Sequence, residues 1–216
     1  MSRIINNTKW VLFGTLSVSI GLYPLLYFLI DRQFGLLSSK SQELLNDLIW
    51  NFAFYGHITL GGIALLIGWI QFSPKVRKRR KKLHQIVGRI YLIAVLISGL
   101  CGVYIAHFAT GGIFNSIGFT LSALIWLSTS IFGYTAIRNR HIRLHQELMI
   151  YSYAICFSAV SLRIWLPVLI LVTGEFDPAY HIVAWLSWVP NLFVAYFIIA
   201  RERRKVIPEM FSGRKG

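Results

Sequence analysis

The chain has 216 residues, of which 56% are hydrophobic and only 14% are charged, with a formal net charge of +14 at pH 7. So apolar a composition excludes a water-soluble globular domain of this size. The charge does not indicate nucleic-acid binding, because the cations lie in short clusters between apolar runs of about 20 residues, the length that crosses a bilayer. We predict an all-α polytopic membrane protein, with residues 1–216 forming one integral domain and no nucleic-acid partner.

Six apolar runs are predicted to be membrane-spanning helices, because lipid offers backbone groups no other hydrogen-bond partner. We expect spans two to five to form a four-helix core. Between the first two spans, the stretch SSKSQELLNDLIW predicts a short outer-surface helix that runs into span two. Cys101 and Cys156 lie deep in apolar runs and are predicted to be unpaired. The predicted spans cover residues 10–30, 49–72, 84–107, 113–137, 145–172 and 181–200.

The distribution of cations predicts the orientation. Nineteen of the 22 Lys and Arg residues lie at the two termini or in and beside the loops 73–83 and 138–144, whereas only Arg32 and Lys40 lie in the opposite segments. Cytoplasmic loops are enriched in Lys and Arg, so both termini are predicted to be cytoplasmic. Residues 75–82 carry seven of these cations and are predicted to contact anionic lipids of the inner leaflet.

Two similar junctions, KKLHQIVGRIY and RHIRLHQELMIY, begin spans three and five and place His84 and His145 at one depth near the inner face. Gly88 follows His84 by four residues and so shares its helical face. A glycine there leaves room for a flat porphyrin, and imidazole is a common axial ligand of haem iron. We predict His84 and His145 as haem ligands and Arg89 as a propionate partner. The alternative is that both histidines bond to loop carbonyls and that Gly88 serves packing alone.

A second candidate site lies nearer the outer face. His57 is about 22 Å above the inner end of span two at 1.5 Å per residue, and Gly61 follows it by four residues. Arg163 lies about 27 Å from the inner face and could line an outer cavity that binds an anion or a quinone carbonyl. The alternative is that Arg163 reaches the outer headgroups or pairs with Asp177 or Glu175.

Other chemistries have weaker support. A zinc or copper site from His57, His107 and His181 is an alternative. The chain has no phosphate-binding loop, no Ser-His-Asp set and no zinc-helix motif. The sequence leaves open whether the protein is an enzyme.

Five ordered motifs resemble a bacterial family of predicted membrane proteins of unknown function, over about residues 50–170. This resemblance implies a multi-pass protein of the bacterial cytoplasmic membrane and no particular activity. The motifs are H-x3-GGIALLIGxxQF (57–72), KLHQIVGRIYL (82–92), ALIWLST (123–129), RLHQELMIYSYA (143–154) and SLRIWLP (161–167).

The chain also bears a weaker resemblance to the ascorbate-type di-haem cytochromes b, in which four helices hold a haem near each face. His57, His84 and His145 correspond to three of the four ligand positions, and the fourth falls near Gly118 or Phe119, where this chain has no His. The resemblance implies one haem b at most, between His84 and His145, and electron transfer with a quinone or another redox partner. The competing hypotheses are a non-haem binding protein or transporter with a cavity lined by His57 and Arg163, and a structural subunit with no site.

Overall fold

The computed structural model describes residues 2–30 and 34–212, and the side chains of residues 7–30 and 34–204. Within these residues the chain is helical, without any β-strand, and short 3-10 turns cover Tyr23–Leu25, Gly35–Ser39 and Trp69–Phe72. The helices are α1 (Ser2–Leu22), α2 (Leu26–Leu29), α3 (Gln42–Asn46), α4 (Leu48–Gly68), α5 (Pro74–Arg79), α6 (Lys81–Ala106), α7 (Ile113–Arg138), α8 (Ile142–Cys156), α9 (Ser158–Thr173), α10 (Phe176–Leu186) and α11 (Val189–Ser212).

The prediction of six spans is confirmed. In the described part of the chain, six helical stretches are long and apolar enough to cross a membrane. An even number of spans places both termini at the same end, which we call the inner end. That this end is cytoplasmic stays a prediction, and some of the charges behind it (Arg3, Asp31, Arg32, Lys205, Arg214 and Lys215) lie outside the described side chains. The observed spans are Asn7–Leu29, Leu48–Phe72, Lys81–Ala106, Ile113–Arg138, Ile142–Thr173 and Phe176–Arg204.

Spans two to five form the predicted four-helix core. Helix α4 packs against α6, α6 against α7 and α7 against α8, and α8 closes the ring onto α4. In such a ring α6 and α8 face each other diagonally, as do α4 and α7. Helix α1 packs outside α4, and α11 packs outside α8. Large apolar side chains such as Ile113 and Leu171 are exposed on the outside of the bundle, where a membrane protein contacts lipid.

The segment before span two differs from the prediction. Helix α3 ends at Asn46, and Asp47 adopts an extended conformation. Its Oδ1 accepts a hydrogen bond from the backbone N–H of Trp50 at 2.7 Å and so caps α4. The predicted continuous run from the surface helix into span two is therefore wrong at Asp47.

Span five is divided into two helices at a point that no helix-breaking residue marks. Helix α8 ends at Cys156 and α9 begins at Ser158, with Phe157 between them. Pro167, the stronger helix-breaking signal, lies inside α9. Because proline has no N–H, the carbonyl of Arg163, four residues earlier, loses its helical donor.

A layer of polar and aromatic side chains fills the middle of the bundle. The Tyr91 hydroxyl lies 2.8 Å from Ser152 Oγ, which lies 2.7 Å from Ser130 Oγ, and all three residues are buried. Trp126 Nε1 donates to the Tyr91 hydroxyl at 3.3 Å, and the Tyr153 hydroxyl donates to the Leu65 carbonyl at 2.9 Å. This layer separates the inner end from the outer half. Cys101 and Cys156 are free, as predicted.

Candidate functional site

The two inner histidines occupy equivalent positions. His84 is the fourth residue of α6 and His145 the fourth residue of α8. Their backbone N–H groups donate to the carbonyls of Arg80 and His141, each at 3.0 Å. The core places their helices diagonally opposite, and the two imidazoles lie within electrostatic range of each other. The fold thus places both histidines at the inner end of the four-helix core, and their role as a pair stays a prediction.

The two imidazoles differ in their hydrogen bonds. His145 Nδ1 lies 2.8 Å from the carbonyl of Gly133 on α7. A carbonyl only accepts, so this bond places the ring proton on Nδ1 and leaves Nε2 with a free lone pair. His84 Nδ1, in contrast, is buried and has no hydrogen-bond partner. A buried polar atom without a partner is costly and calls for an explanation.

Open space lies beside His84. A Cβ added to Gly88 would meet no heavy atom within 4 Å, whereas one added to Gly68 would lie 2.5 Å from the ring of Tyr153. Gly88 lies one turn above His84 and one turn below the buried Tyr91, so it belongs to the interior face of α6. Arg89 is exposed next to it. The inner end of the bundle is therefore open on the face that carries His84.

Gln71 is a further polar residue at this end. Both of its amide atoms, Nε2 and Oε1, are buried and have no hydrogen-bond partner. It lies on the turn Trp69–Phe72, which packs against α6. Sequence reasoning quoted Gln71 inside a motif but gave it no role. The only signal was an amide at the end of an apolar span, which is also typical of an interfacial residue.

The outer histidine is tightly packed against α6. His57 Nδ1 lies 2.9 Å from the carbonyl of Ser98, and Ser98 Oγ donates to the His57 carbonyl at 2.8 Å. A Cβ added to Gly102 would lie 2.9 Å from His57 Nδ1, and one added to Gly61 would lie 3.1 Å from Ser98 Oγ. Gly61 therefore leaves no open space beside His57, because the Ser98 hydroxyl occupies it.

Span four offers His57 no ligand. A Cβ added to Gly118 would find its nearest atoms in Ala184 and Trp185 of α10, and Phe119 packs against Tyr180 with ring centroids 5.5 Å apart. The residues at the fourth ligand position of the cytochrome pattern thus contact α10.

Arg163 has few partners for a cation within a membrane span. Its Nη1 donates to the Ala159 carbonyl at 3.0 Å, and its Cζ lies 4.4 Å from the centre of the Tyr23 ring. Its Nε is buried without a partner. The ion pairs seen among the described side chains include those of Glu147 with Arg143 and Arg203, and none joins Arg163 to Asp177 or Glu175. The predicted alternative of a pair with Asp177 or Glu175 is therefore wrong. Arg163 does lie within electrostatic range of His57.

The alternative of a three-histidine metal site is also wrong. Over the described residues, no three His, Cys, Asp or Glu side chains are placed to hold a metal ion. His107 Nδ1 bonds to the Val103 carbonyl at 2.8 Å, and His181 Nδ1 bonds to Asn115 Oδ1 at 3.0 Å. Haem iron needs only two axial protein ligands, because the porphyrin supplies the other four, so this absence does not bear on an inner pair.

The fold and the two polar regions define a polytopic helical membrane protein with histidines at two depths. Residues 54–199 match the family described as "Predicted membrane protein (DUF2306)", and because the match covers more than half of the chain, the chain belongs to this family. No curated protein and no solved structure matches the chain. The family resemblance predicted from the motifs is confirmed, whereas the resemblance to di-haem cytochromes b stays a prediction.

Proposed function

We propose that this protein is a haem b electron-transfer protein of the membrane, with one haem at the inner end between His84 and His145. The observation that carries the proposal is the combination of an unpartnered, buried His84 Nδ1 with open space at Gly88 on the same helical face. A fully packed helix interface would fill the space at Gly88 and provide a hydrogen-bond partner for His84 Nδ1.

The residues present fit a bis-histidine group. His145 donates its Nδ1 proton to a backbone carbonyl, which is the outer hydrogen bond that metal-ligating histidines usually make, and its Nε2 is then the coordinating atom. His84 comes from the diagonally opposed helix at the same depth. A bound haem b would supply a one-electron redox centre.

The rest of the chain would hold and insulate this centre. Arg89 is exposed one residue after Gly88, which supports the role of a propionate partner. The buried layer around Tyr91 and Ser152 closes the bundle above the site and excludes water from that side. Gln71 offers a donor and an acceptor at the turn beside the start of α6.

Two partners belong to the same proposal. The seven cations of residues 75–82 are all exposed, which supports contact with anionic lipid headgroups. A quinol or another redox partner would deliver electrons at the membrane, since the proposed haem lies at the end of the spans.

The test is a visible absorption spectrum of the protein purified in detergent after expression with ample haem. We expect a low-spin spectrum that sharpens on reduction, as bis-imidazole haem does. His84→Ala should lose it. His141→Ala, which removes an exposed histidine at the same end, should keep it. Absence of any haem band in the unmodified protein would refute the proposal.

A further inference from the structure

Arg163 carries a charge that no described carboxylate neutralises. It lies within a membrane span, where a charged side chain is costly unless it is paired. The described acids nearest in sequence, Glu175 and Asp177, make no ion pair with it. Truly unpaired charges in such positions are rare, and intramembrane charges commonly mark binding sites.

The surroundings of the guanidinium are suited to a ligand. One face is covered by the Tyr23 ring, with 4.4 Å from Cζ to the ring centre. One edge is bonded to the Ala159 carbonyl through Nη1, but the buried Nε has no partner. An N–H of the guanidinium fork is therefore available for an acceptor that the described side chains do not supply.

Tyr23, Tyr27 and the turn Gly35–Ser39 pack together on the outer side of Arg163. The Tyr23 and Tyr27 rings pack edge to face with centroids 5.9 Å apart, and the Tyr27 hydroxyl accepts from the backbone N–H of Leu36 at 3.4 Å. A Cβ added to Gly35 would lie 2.8 Å from the Tyr27 hydroxyl and 3.8 Å from that of Tyr23. Both hydroxyls therefore lie under the turn Gly35–Ser39, at the outer end of span one.

The depth of the site permits access from the outer side. Tyr23 lies six residues before Leu29, the last residue of span one, which is about 9 Å along a helix. Lipid phosphates lie beyond the hydrocarbon edge. A bound oxyanion would therefore enter beneath the turn Gly35–Ser39, which lies over the two tyrosine hydroxyls.

We infer that Arg163 binds an oxyanion group, a carboxylate or a phosphate, through the unpartnered Nε edge of its guanidinium, beside the Tyr23 ring. Arginine prefers such groups because its planar fork matches two oxygen atoms and its charge remains at every physiological pH. A neutral carbonyl would satisfy the open N–H but leave the charge uncompensated. The oxyanion comes either from a phospholipid headgroup of the outer leaflet or from a free anion. This inference is independent of haem.

The experiment uses the full-length protein in two forms. In delipidated detergent solution, thermal unfolding is followed by tryptophan fluorescence while inorganic phosphate or acetate is added at constant ionic strength. In protein extracted gently from membranes, native mass spectrometry counts retained phospholipid. Both measurements compare the unmodified chain with Arg163→Gln and with the control Lys40→Gln. The control removes an outer cation whose Nζ donates hydrogen bonds to the Phe108 carbonyl and to Thr110 Oγ1.

A free-anion site predicts a saturable rise in unfolding temperature with phosphate or acetate. A lipid site predicts no such rise but a retained phospholipid. In either case Arg163→Gln should weaken binding by about 10- to 100-fold, as expected for a lost charge-assisted hydrogen bond, and Lys40→Gln should not. Arg163→Lys keeps the charge and loses the fork and the stacking, so it should bind with intermediate affinity. This variant serves if Arg163→Gln does not fold.

Two results would overturn the inference. One is that the unmodified chain, Arg163→Gln and Arg163→Lys show the same change in unfolding temperature with added anion and retain the same amount of phospholipid. The other is a strong coupling energy between Arg163→Gln and Asp31→Asn in a double-mutant cycle of stability, because the chain itself would then supply the anion.

Discussion

The inner and outer ends of the bundle each contain a histidine followed four residues later by a glycine, yet the two glycines have different surroundings. A side chain added at Gly88, beside His84, would enter open space, whereas one added at Gly61, beside His57, would meet the Ser98 hydroxyl at 3.1 Å. His57 Nδ1 is bonded to the Ser98 carbonyl, and His84 Nδ1 has no partner.

The difference shows which histidine needs something that the chain does not provide. At the outer position, α6 forms hydrogen bonds with His57 and packs closely against it. Packing against its neighbours therefore explains this residue. At the inner position, His84 Nδ1 has no partner and the space beside Gly88 is open, which is the arrangement expected if the proposed haem binds there. In the outer half, the polar group that lacks a hydrogen-bond partner is instead the guanidinium of Arg163, at its Nε.

The largest effect is expected from a substitution that fills the open space beside His84. In Gly88→Phe, the new ring would occupy the space beside His84, and we expect the haem content to fall to near zero. The unfolding temperature of the haem-free protein, measured by tryptophan fluorescence, should change little from that of the haem-free unmodified chain, because no atom lies within 4 Å of the new Cβ. Full haem occupancy in this variant would show that the space beside Gly88 is not the haem site.

Two smaller substitutions on α6 test the same difference through the free energy of unfolding. In Gly102→Ala, the added methyl would lie 2.9 Å from His57 Nδ1, and such overpacking costs about 1–3 kcal/mol. In Gly88→Ala, the methyl meets nothing, and the protein should be unchanged or more stable by up to about 1 kcal/mol from helix propensity. Chemical denaturation in detergent compares the two. Equal destabilisation by both would contradict the difference in packing.

The smallest expected effect is a pH dependence confined to the outer end. Burial lowers the pKa of Lys40 to about 8 from the ordinary value of 10.5, and its Nζ bonds to the Phe108 carbonyl and Thr110. The unfolded chain binds more protons than the folded one between these values. Stability should therefore rise with pH across that window, by about 1 kcal/mol or less because solvent screens a half-buried group.

The check is the unfolding temperature from pH 7 to 10.5 in the unmodified protein, Lys40→Gln and Lys75→Gln. Lys75 is exposed at the inner end, so its removal should leave the rise in place. Lys40→Gln should remove the rise. A rise that survives in Lys40→Gln would assign the pH dependence to another group.

The sequence predicted the spans closely because hydropathy and length are set by the bilayer and need no tertiary information. It could not predict the break at Phe157, where no proline or glycine interrupts the helix. It also treated Gly61 and Gly88 alike, because the difference depends on which side chain the neighbouring helix presents. The bonds of Ser98 to His57 follow only from the packing of α4 on α6. The unpartnered amide of Gln71 is likewise visible only in the folded chain.

The measurement that tests the account most directly is the haem content per protein by pyridine haemochrome, in the unmodified chain and in three alanine variants. We expect a ratio near one that collapses in His84→Ala and in His145→Ala and survives in His57→Ala, because the space beside Gly88 is open whereas the Ser98 hydroxyl fills the space beside Gly61. A ratio near two, a ratio that depends on His57, or no haem after expression with ample supply would contradict it.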